Sequence, residues 1–509
     1  MTASEALTLR LNRADNVVTA IADLAAGTAL PDENLVCKDS IPGFHKVATA
    51  PIEKGEKVFK YGQIIGVAQQ AIQVGAHVHT HNMGMLEYEK KYAFGVDAHP
   101  VIPVPANEQA YFQGIVRPDG RVATRNYIGV IATASCSAGV ARFIADAFDA
   151  ETLAAFPHVD GVVSVIHGSG CGLADHGESI DCLQRTLAGW ARHPNFAGIL
   201  LVGLGCEVNQ VENMVGVINP APEARFKFLN IQSSGGTKKT VAAGVEIVRE
   251  MLAEANHAHR QPVSAAHLVV GLECGGSDAL SGITANPALG AASDWVVRHG
   301  GTVILSETTE IYGAEQLLVR RAATEGVGQK LIERIHWWEE YTKRNGIEIN
   351  NNPAPGNKAG GLTTILEKSL GAVAKSGSTN LVDVYRFAEA VTAKGLVFMD
   401  TPGYDVVSVT GMIAGGANLI CFTTGRGSVF GSKPAPTIKL ATNSQLYQNM
   451  TDDMDVNCGG IMDGQDSVAA VGKEIFKKIL DTASGTKTCS ESLGFGDVEF
   501  VPWQMGALL

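Results

Sequence analysis

Four stretches decide the reading: YIGVIATASC (127–136), VDGVVSVIHGSGC (159–171), AGILLVGLGC (197–206) and AHLVVGLECGG (266–276). Each is an apolar, β-branched run that stops at Gly or Cys. A strand buried on both faces of a parallel sheet needs such a run. Between and after them lie SAGVARFIADAF (137–148), ESIDCLQRTLAGWARH (178–193) and TKKTVAAGVEIVREMLAEA (237–255), with helix-like texture. Strand alternating with helix predicts a mostly parallel sheet covered by helices.

Outward from this centre the texture changes. Residues 1–85 contain only brief runs such as ALTLRL, HKVATA and QIIGVA, broken by Gly, Pro and Asp. They predict a small all-β module. Residues 86–112 mix charge with Pro103 and Pro105 and are expected to be a linker. Residues 113–262 and 263–509 are expected to be two α/β domains. The fold class expected is α/β multidomain: an N-terminal all-β module followed by mostly parallel catalytic domains.

Composition narrows the function. At 509 residues, with 45% hydrophobic and 18% charged residues, the chain has material for about three cores. A net charge of −12 argues against general nucleic-acid binding, which needs a basic footprint. Nine cysteines, an odd number in a long chain, argue against a disulfide framework. The N-terminus has no basic segment followed by an apolar one, and no long apolar run occurs. The expectation is a cytoplasmic protein with reduced thiols and no membrane partner.

Cys136, Cys171, Cys206 and Cys274 each close a strand run, at spacings of 35, 35 and 68 residues. Strand carboxyl ends share one edge, where ligands bind. Four thiols there could hold a metal or an iron–sulfur cluster; the bland account is that cysteine packs well in cores. HVHTHN places His77, His79 and His81 two residues apart, on one face of a strand. A His-x-His pair suits iron, manganese or zinc, and a solvated strand is the alternative. Glycine loops carry cations: RPDGRVATRN (Arg121, Arg125), NPAPGNKAGG (Lys358) and TTGRGSVFG (Arg426). They fit a small anion better than a nucleotide, because no Walker or dinucleotide loop is present. ECGGSDALSGITANP (Glu273, Asp278, Ser281, Thr284, Asn286) and SETTEIYGAE (Glu307, Glu310, Glu315) gather carboxylates and hydroxyls near strand ends. Metal or sugar contacts are one account and helix caps the other. His167, at a strand end, and His45, in GFHKVA, are the single histidines of interest.

KYGQIIG with HVHTHN, then GRVATRN, HGSGCG, GLGCEVNQ, GLECGGSDALSGITANP, NPAPGNKAGG, KSGSTN and TTGRGSVFG resemble the altronate/galactarate dehydratase family. The resemblance runs from about residue 10 to the end. It implies a SAF-type (β-clip) module over residues 1–85 and a catalytic α/β region after it. HVHTHN, GAEQLL and ARHPNFAG resemble the altronate type. The family removes water from sugar acids with Fe2+, sometimes replaced by Mn2+, and yields a 2-keto-3-deoxy acid. A sister group eliminates sulfite from sulfolactate.

Such a reaction needs charge to neutralise the enediolate, a base for the C2 proton and an acid for the departing hydroxyl. The resemblance leads to these expectations. Iron sits among Cys136, Cys171, Cys206 and Cys274, or on His77 and His79, and an iron–sulfur cluster stays open. His167 or His45 is the base. Lys358 and Arg426 hold the carboxylate, with Lys358 also a catalytic candidate. Arg125, Asn126, Asp278, Glu307 and Glu310 contact substrate. The partner is a small sugar acid, and a homo-oligomer is allowed for. A nicotinamide oxidoreductase lacks its GxGxxG loop here, and a sugar-acid sensor would not need the clustered Cys and His.

Overall fold

The computed structural model describes residues 7–86, 90–220 and 225–505. The N-terminal module is a set of short antiparallel sheets. One has the order Thr8–Leu9, Val17–Ala20, Lys46–Ala48, His77–Val78; another joins Lys57–Lys60, Gln63–Ala68 and Met83–Gly84. Val17, Ala48, Val58, Ile65 and Val78 fill its core.

Two α/β units follow. The smaller carries a parallel sheet in the order Gly161–Val165, Tyr127–Ala132, Phe196–Gly203, Phe226–Asn230. Alternation along Tyr127–Ala132 feeds two cores. Ile128, Val130 and Ala132 meet the helices Ser135–Ala145 and Thr237–Ala255. Tyr127 and Ile131 share a second core with the helix Glu178–Ala191 and with Phe387, Met412 and Phe422 of the larger unit. The two units therefore pack through one hydrophobic interior. Gly189 approaches so closely that a Cβ there would lie 2.4 Å from the Ala414 carbonyl oxygen, and Trp190 Nε1 donates to Thr410 O at 3.0 Å.

The larger sheet has seven parallel strands in the order Leu381–Tyr385, Gly395–Met399, Thr302–Leu305, Val269–Cys274, Leu419–Thr424, Thr437–Ala441, Val456–Asn457. Its central members are almost wholly buried, as their unbroken apolar runs require. The helix Ala285–Arg298 packs in the core on one face and Asp405–Ala414 in the core on the other.

Two boundaries differ from the sequence reading. Arg260–Ser264 pairs antiparallel with Tyr111–Val116, so residue 262 lies inside a strand. Of the stretch expected to be a linker, residues 87–89 lie outside the described residues, and residues 90–112 are strapped along the larger unit: Val104 N donates to Arg298 O, Asp97 pairs with Arg320, and Tyr92 Oη donates to Glu315. Its prolines disfavour regular structure but leave the polar groups free to bond outward.

The β-module is fixed to the larger unit by a buried ion triad. Lys46 Nζ and Lys60 Nζ each lie 2.9 Å from a carboxylate oxygen of Glu367, and all three side chains are excluded from solvent. Glu367 sits in the first turn of the helix Ile365–Val373, capped by Thr364, whose hydroxyl donates to Ile65 O of the module at 2.5 Å. Removing one partner of such a set strands the others without compensation. Glu367→Gln is expected to lower stability by about 3–5 kcal/mol, measured as a fall in the thermal or denaturant midpoint. An unchanged midpoint would mean that the triad does not hold the module in place.

Candidate active site

The chain enters the larger sheet at Val269–Cys274, adds Thr302–Leu305 on one side and Leu419–Thr424 on the other. Such a reversal opens a crevice at the strand carboxyl ends. Here the crevice is a cleft of about 420 Å³ lined by Cys274, Glu310, Asn352, Lys368, Asp405 and Arg426, among others. Cys274, Glu310, Asp405 and Arg426 come from four different strand ends, Lys368 from the Ile365–Val373 helix, and Asn352 from the turn after the short segment Ile349–Asn351. Gly275 is demanded by crowding: a Cβ there would lie 2.0 Å from Asp405 Oδ2.

The floor of the cleft is an alternating set of charges. Lys368 Nζ lies 2.6 Å from Glu310 Oε1, which also accepts from Asn352 Nδ2 at 2.7 Å. Lys375 Nζ lies 2.9 Å from Cys274 Sγ and 3.3 Å from Glu307 Oε2. Burial alone would raise the Glu310 carboxyl, but Lys368 holds it below the ordinary range. Burial works against the charge on both lysines, yet Glu310 keeps Lys368 protonated and Cys274 with Glu307 does the same for Lys375. Glu273 is pushed well up, first by burial and then by Glu307, so it keeps its proton. Asp405 is pushed up to about 7 by burial and by Glu307 and Glu310. Glu307 holds a left-handed backbone (φ +67°), unusual for a residue with a side chain and costing about 1–3 kcal/mol. Strain of this kind persists where packing over-determines it, commonly at sites of function.

A second cluster stands on the β-module. His45, His77 and His79 bring ring nitrogens within 4.8 Å of one another. The strand ends at Val78, and Asn82 closes the next turn by accepting from His79 N and donating to His77 O. That bend replaces the straight His strand of the sequence reading. The third ring is His45, just before the neighbouring strand Lys46–Ala48, rather than His81. His45 Nε2 bonds Ala359 O at 3.2 Å, which leaves Nδ1 2.9 Å from His77 Nε2. Burial, then the neighbouring imidazoles, lower His77 to about 4; burial, then Lys46, lowers His79 to about 3. All three rings are thus held neutral, the form that ligates metal. His79 Nδ1 is buried with no hydrogen-bond partner. The donor set fits a divalent transition ion. Cys274, Glu307 and Glu310 are equally close-set, but Lys368 and Lys375 already supply the positive charge there. Both sites touch the short helix Pro355–Ala359: His45 at Ala359, the cleft at Gly356 and Asn357.

Of the residues singled out in the sequence, Glu307, Glu310, Cys274 and Arg426 come together at the cleft. Lys358 lies half-exposed on the short helix, beside Ala359. Several expectations need correction. All five N–H donors of Arg125 are engaged, by Glu491 and the carbonyls of Thr124, Thr482 and Thr486, so it ties the chain end to the smaller unit instead of binding substrate. Asn126 is fully buried; its amide donates to His158 O and Ala255 O and accepts from Arg117. His167 is not a base: Nε2 bonds Ala132 O, Nδ1 accepts from Ser169 N, and burial drops it to about 4. Asp278 caps its own turn, accepting from Leu280 N, Ser281 N, Ser281 Oγ and Thr442 Oγ1. His45 joins the histidine cluster instead of acting as a base.

The four cysteines do not form one site. Cys136, Cys171 and Cys206 follow strands of the smaller sheet, whereas Cys274 ends a strand of the larger one. Spacings of 35 residues are single β-α-β steps. The spacing of 68 includes the crossing through Arg260–Ser264 into a new sheet.

Asp405, Lys368 and Lys375 were missed. Their signals were present: Asp405 closes the TPGYD turn after a strand, and the lysines stand seven residues apart, two helical turns, in an otherwise apolar stretch.

Comparison with known proteins agrees with the layout. Residues 6–86 match the altronate/galactarate dehydratase SAF domain, 114–256 the D-galactarate dehydratase/altronate hydrolase second domain, and 265–508 the D-galactarate/altronate dehydratase C-terminal model. The chain is 34% identical over 499 residues to the altronate dehydratase of Bacillus subtilis, covering 96% of this chain and 97% of that one. It is 36% identical over 495 residues to the altronate dehydratase of Escherichia coli, covering 96% and 98%. The galactarate dehydratase (L-threo-forming) of Escherichia coli is also 36% identical over 495 residues, covering 96% and 94%. By its three domains and by these relatives, the chain belongs to the altronate/galactarate dehydratase family.

Proposed function

We propose that this chain is a hydro-lyase that removes water from a sugar acid, with altronate as substrate and a 2-keto-3-deoxy acid as product. The observation that carries the reading is Asp405: a carboxyl pushed up to about 7, lining a cleft beside an arginine and a charged lysine–glutamate pair. A base works best when its pKa lies near the working pH. Asp405 takes the C2 proton. Lys368, held protonated, faces the same cleft and hands a proton to the departing hydroxyl. Arg426, exposed at the mouth, binds the substrate carboxylate and stabilises the enediolate charge. Glu310 and Asn352 orient Lys368, and the enol product tautomerises without further help.

Altronate is chosen over galactarate for two reasons. HVHTHN and GAEQLL resemble the altronate type. Among the described lining residues Arg426 is the single arginine, which suits an acid with one carboxylate. His45, His77 and His79 would hold the ferrous ion, with manganese as a substitute. Such an ion supplies a Lewis acid for an oxygen of the substrate.

Assayed anaerobically with Fe2+, the protein is expected to turn altronate into keto acid faster than galactarate; no keto acid from either would end this reading. Asp405→Asn is expected to cut kcat by about 10²–10⁴-fold. The carboxylate form dominates above pH 7, so wild-type kcat/KM should fall as pH drops through about 7, and the variant should lose that limb. An unchanged limb would assign the base elsewhere. His79→Ala is expected to lower bound iron, read by metal analysis, with little change in melting temperature; full retention would move the metal away from the module.

A further inference from the structure

Three neighbouring parallel strands of the smaller sheet, Gly161–Val165, Tyr127–Ala132 and Phe196–Gly203, each send a cysteine to the same edge: Cys171, Cys136 and Cys206. The turns that follow are tied together. Ser135 N donates to Ser169 O at 2.8 Å, Asn209 N to Gly170 O at 3.1 Å, and Asn209 Nδ2 to Thr133 O at 2.9 Å. The neighbouring Cys136, and after it Cys206, push the Cys171 thiol up, so the three side chains stand close to one another. All three are exposed and free of disulfides, so core packing does not account for them.

The backbone is built to present these sulfurs. Gly170 and Gly205, immediately before Cys171 and Cys206, have φ of +92° and +123°. A Cβ at Gly170 would lie 2.5 Å from Thr133 O, and one at Gly205 would lie 2.6 Å from Gln232 Oε1. Cys136 is the second residue of the 11-residue helix Ser135–Ala145, whose cap residue Ala134 makes no side-chain bond to the first turn. Glu207, next to Cys206, is not a fourth ligand. Its oxygens accept from Thr133 Oγ1, Leu204 N and Gly205 N.

We propose that Cys136, Cys171 and Cys206 hold a cuboidal iron–sulfur cluster through three thiolates, leaving one iron without a protein ligand. Soft thiolates select zinc or iron–sulfur centres, and a structural zinc would close its shell with a fourth residue. The site lies on a different sheet from the cleft, so it stands apart from the altronate reading and from the histidine centre.

The test is anaerobic purification of the full chain, reconstitution with Fe2+ and sulfide, and analysis of iron, acid-labile sulfide and the visible absorption band. About four sulfides per chain are expected in the wild type. Cys136→Ser, Cys171→Ser and Cys206→Ser should each lose sulfide and the band while keeping the wild-type melting profile. Cys489→Ser and His79→Ala should keep both. No labile sulfide in the wild type, zinc in its place, or sulfide retained by the three serine variants would overturn the proposal. Loss of sulfide with full dehydratase turnover would leave the cluster standing as a non-catalytic group. Retained sulfide with no turnover of any sugar acid would defeat the altronate reading alone.

Discussion

Much of the arrangement depends on one buried carboxylate. Glu367 faces two ammonium groups from the β-module, Lys46 and Lys60, in the absence of solvent. Because one carboxylate serves two cations, burial lowers Lys46 to about 8, while Glu367 itself is held far below the usual carboxylate range. Water is a better solvent for each charge than this interior, so the set persists only as a complete group. Its position then registers both sites. His45 precedes Lys46 on the module, and Lys368 follows Glu367 on the helix. A shift of the module would disturb the histidine cluster and the Lys368–Glu310 pair together.

The cleft follows the same rule of paired burial. Each buried anion has a cation or a shared proton: Glu310 with Lys368, Glu307 with Lys375, Glu273 by keeping its proton. Asp405 has no ion pair among the described residues, and burial, then Glu307 and Glu310, outweigh the pull of Lys368, so its affinity for a proton reaches the neutral range. The charge pattern thus does two things. It holds the strand ends together, and it sets one group apart for proton transfer.

The expectations that failed share a cause. Arg125, Asn126 and His167 lie in Gly-rich turns of the kind that surround ligands, and their residue types suit a sugar acid. Whether a polar side chain is free depends on which carbonyls and carboxylates the fold places beside it. Arg125 meets Glu491 and Thr482 from far along the chain, and His167 meets Ala132 across a sheet. The local sequence carries no trace of those partners. Glu307, Glu310 and Arg426 stood out because strand-end position is a local property, readable from where an apolar run stops.

The sequence by itself determined the layers: a strand-rich module, then alternating strands and helices whose burial pattern is fixed by which residues avoid water. It also determined that cysteines, carboxylates and cations would stand at strand carboxyl ends, since that follows from run length and turn chemistry. Tertiary structure alone decided which ends meet. The chain starts a second sheet between Cys206 and Cys274, so a fourth thiol that spacing placed with the others sits instead with Lys375 and Glu307. The bend after Val78 brought His45, not His81, to the histidine pair. Pairing across sheets is set by packing between residues distant in the chain, and no local period encodes it.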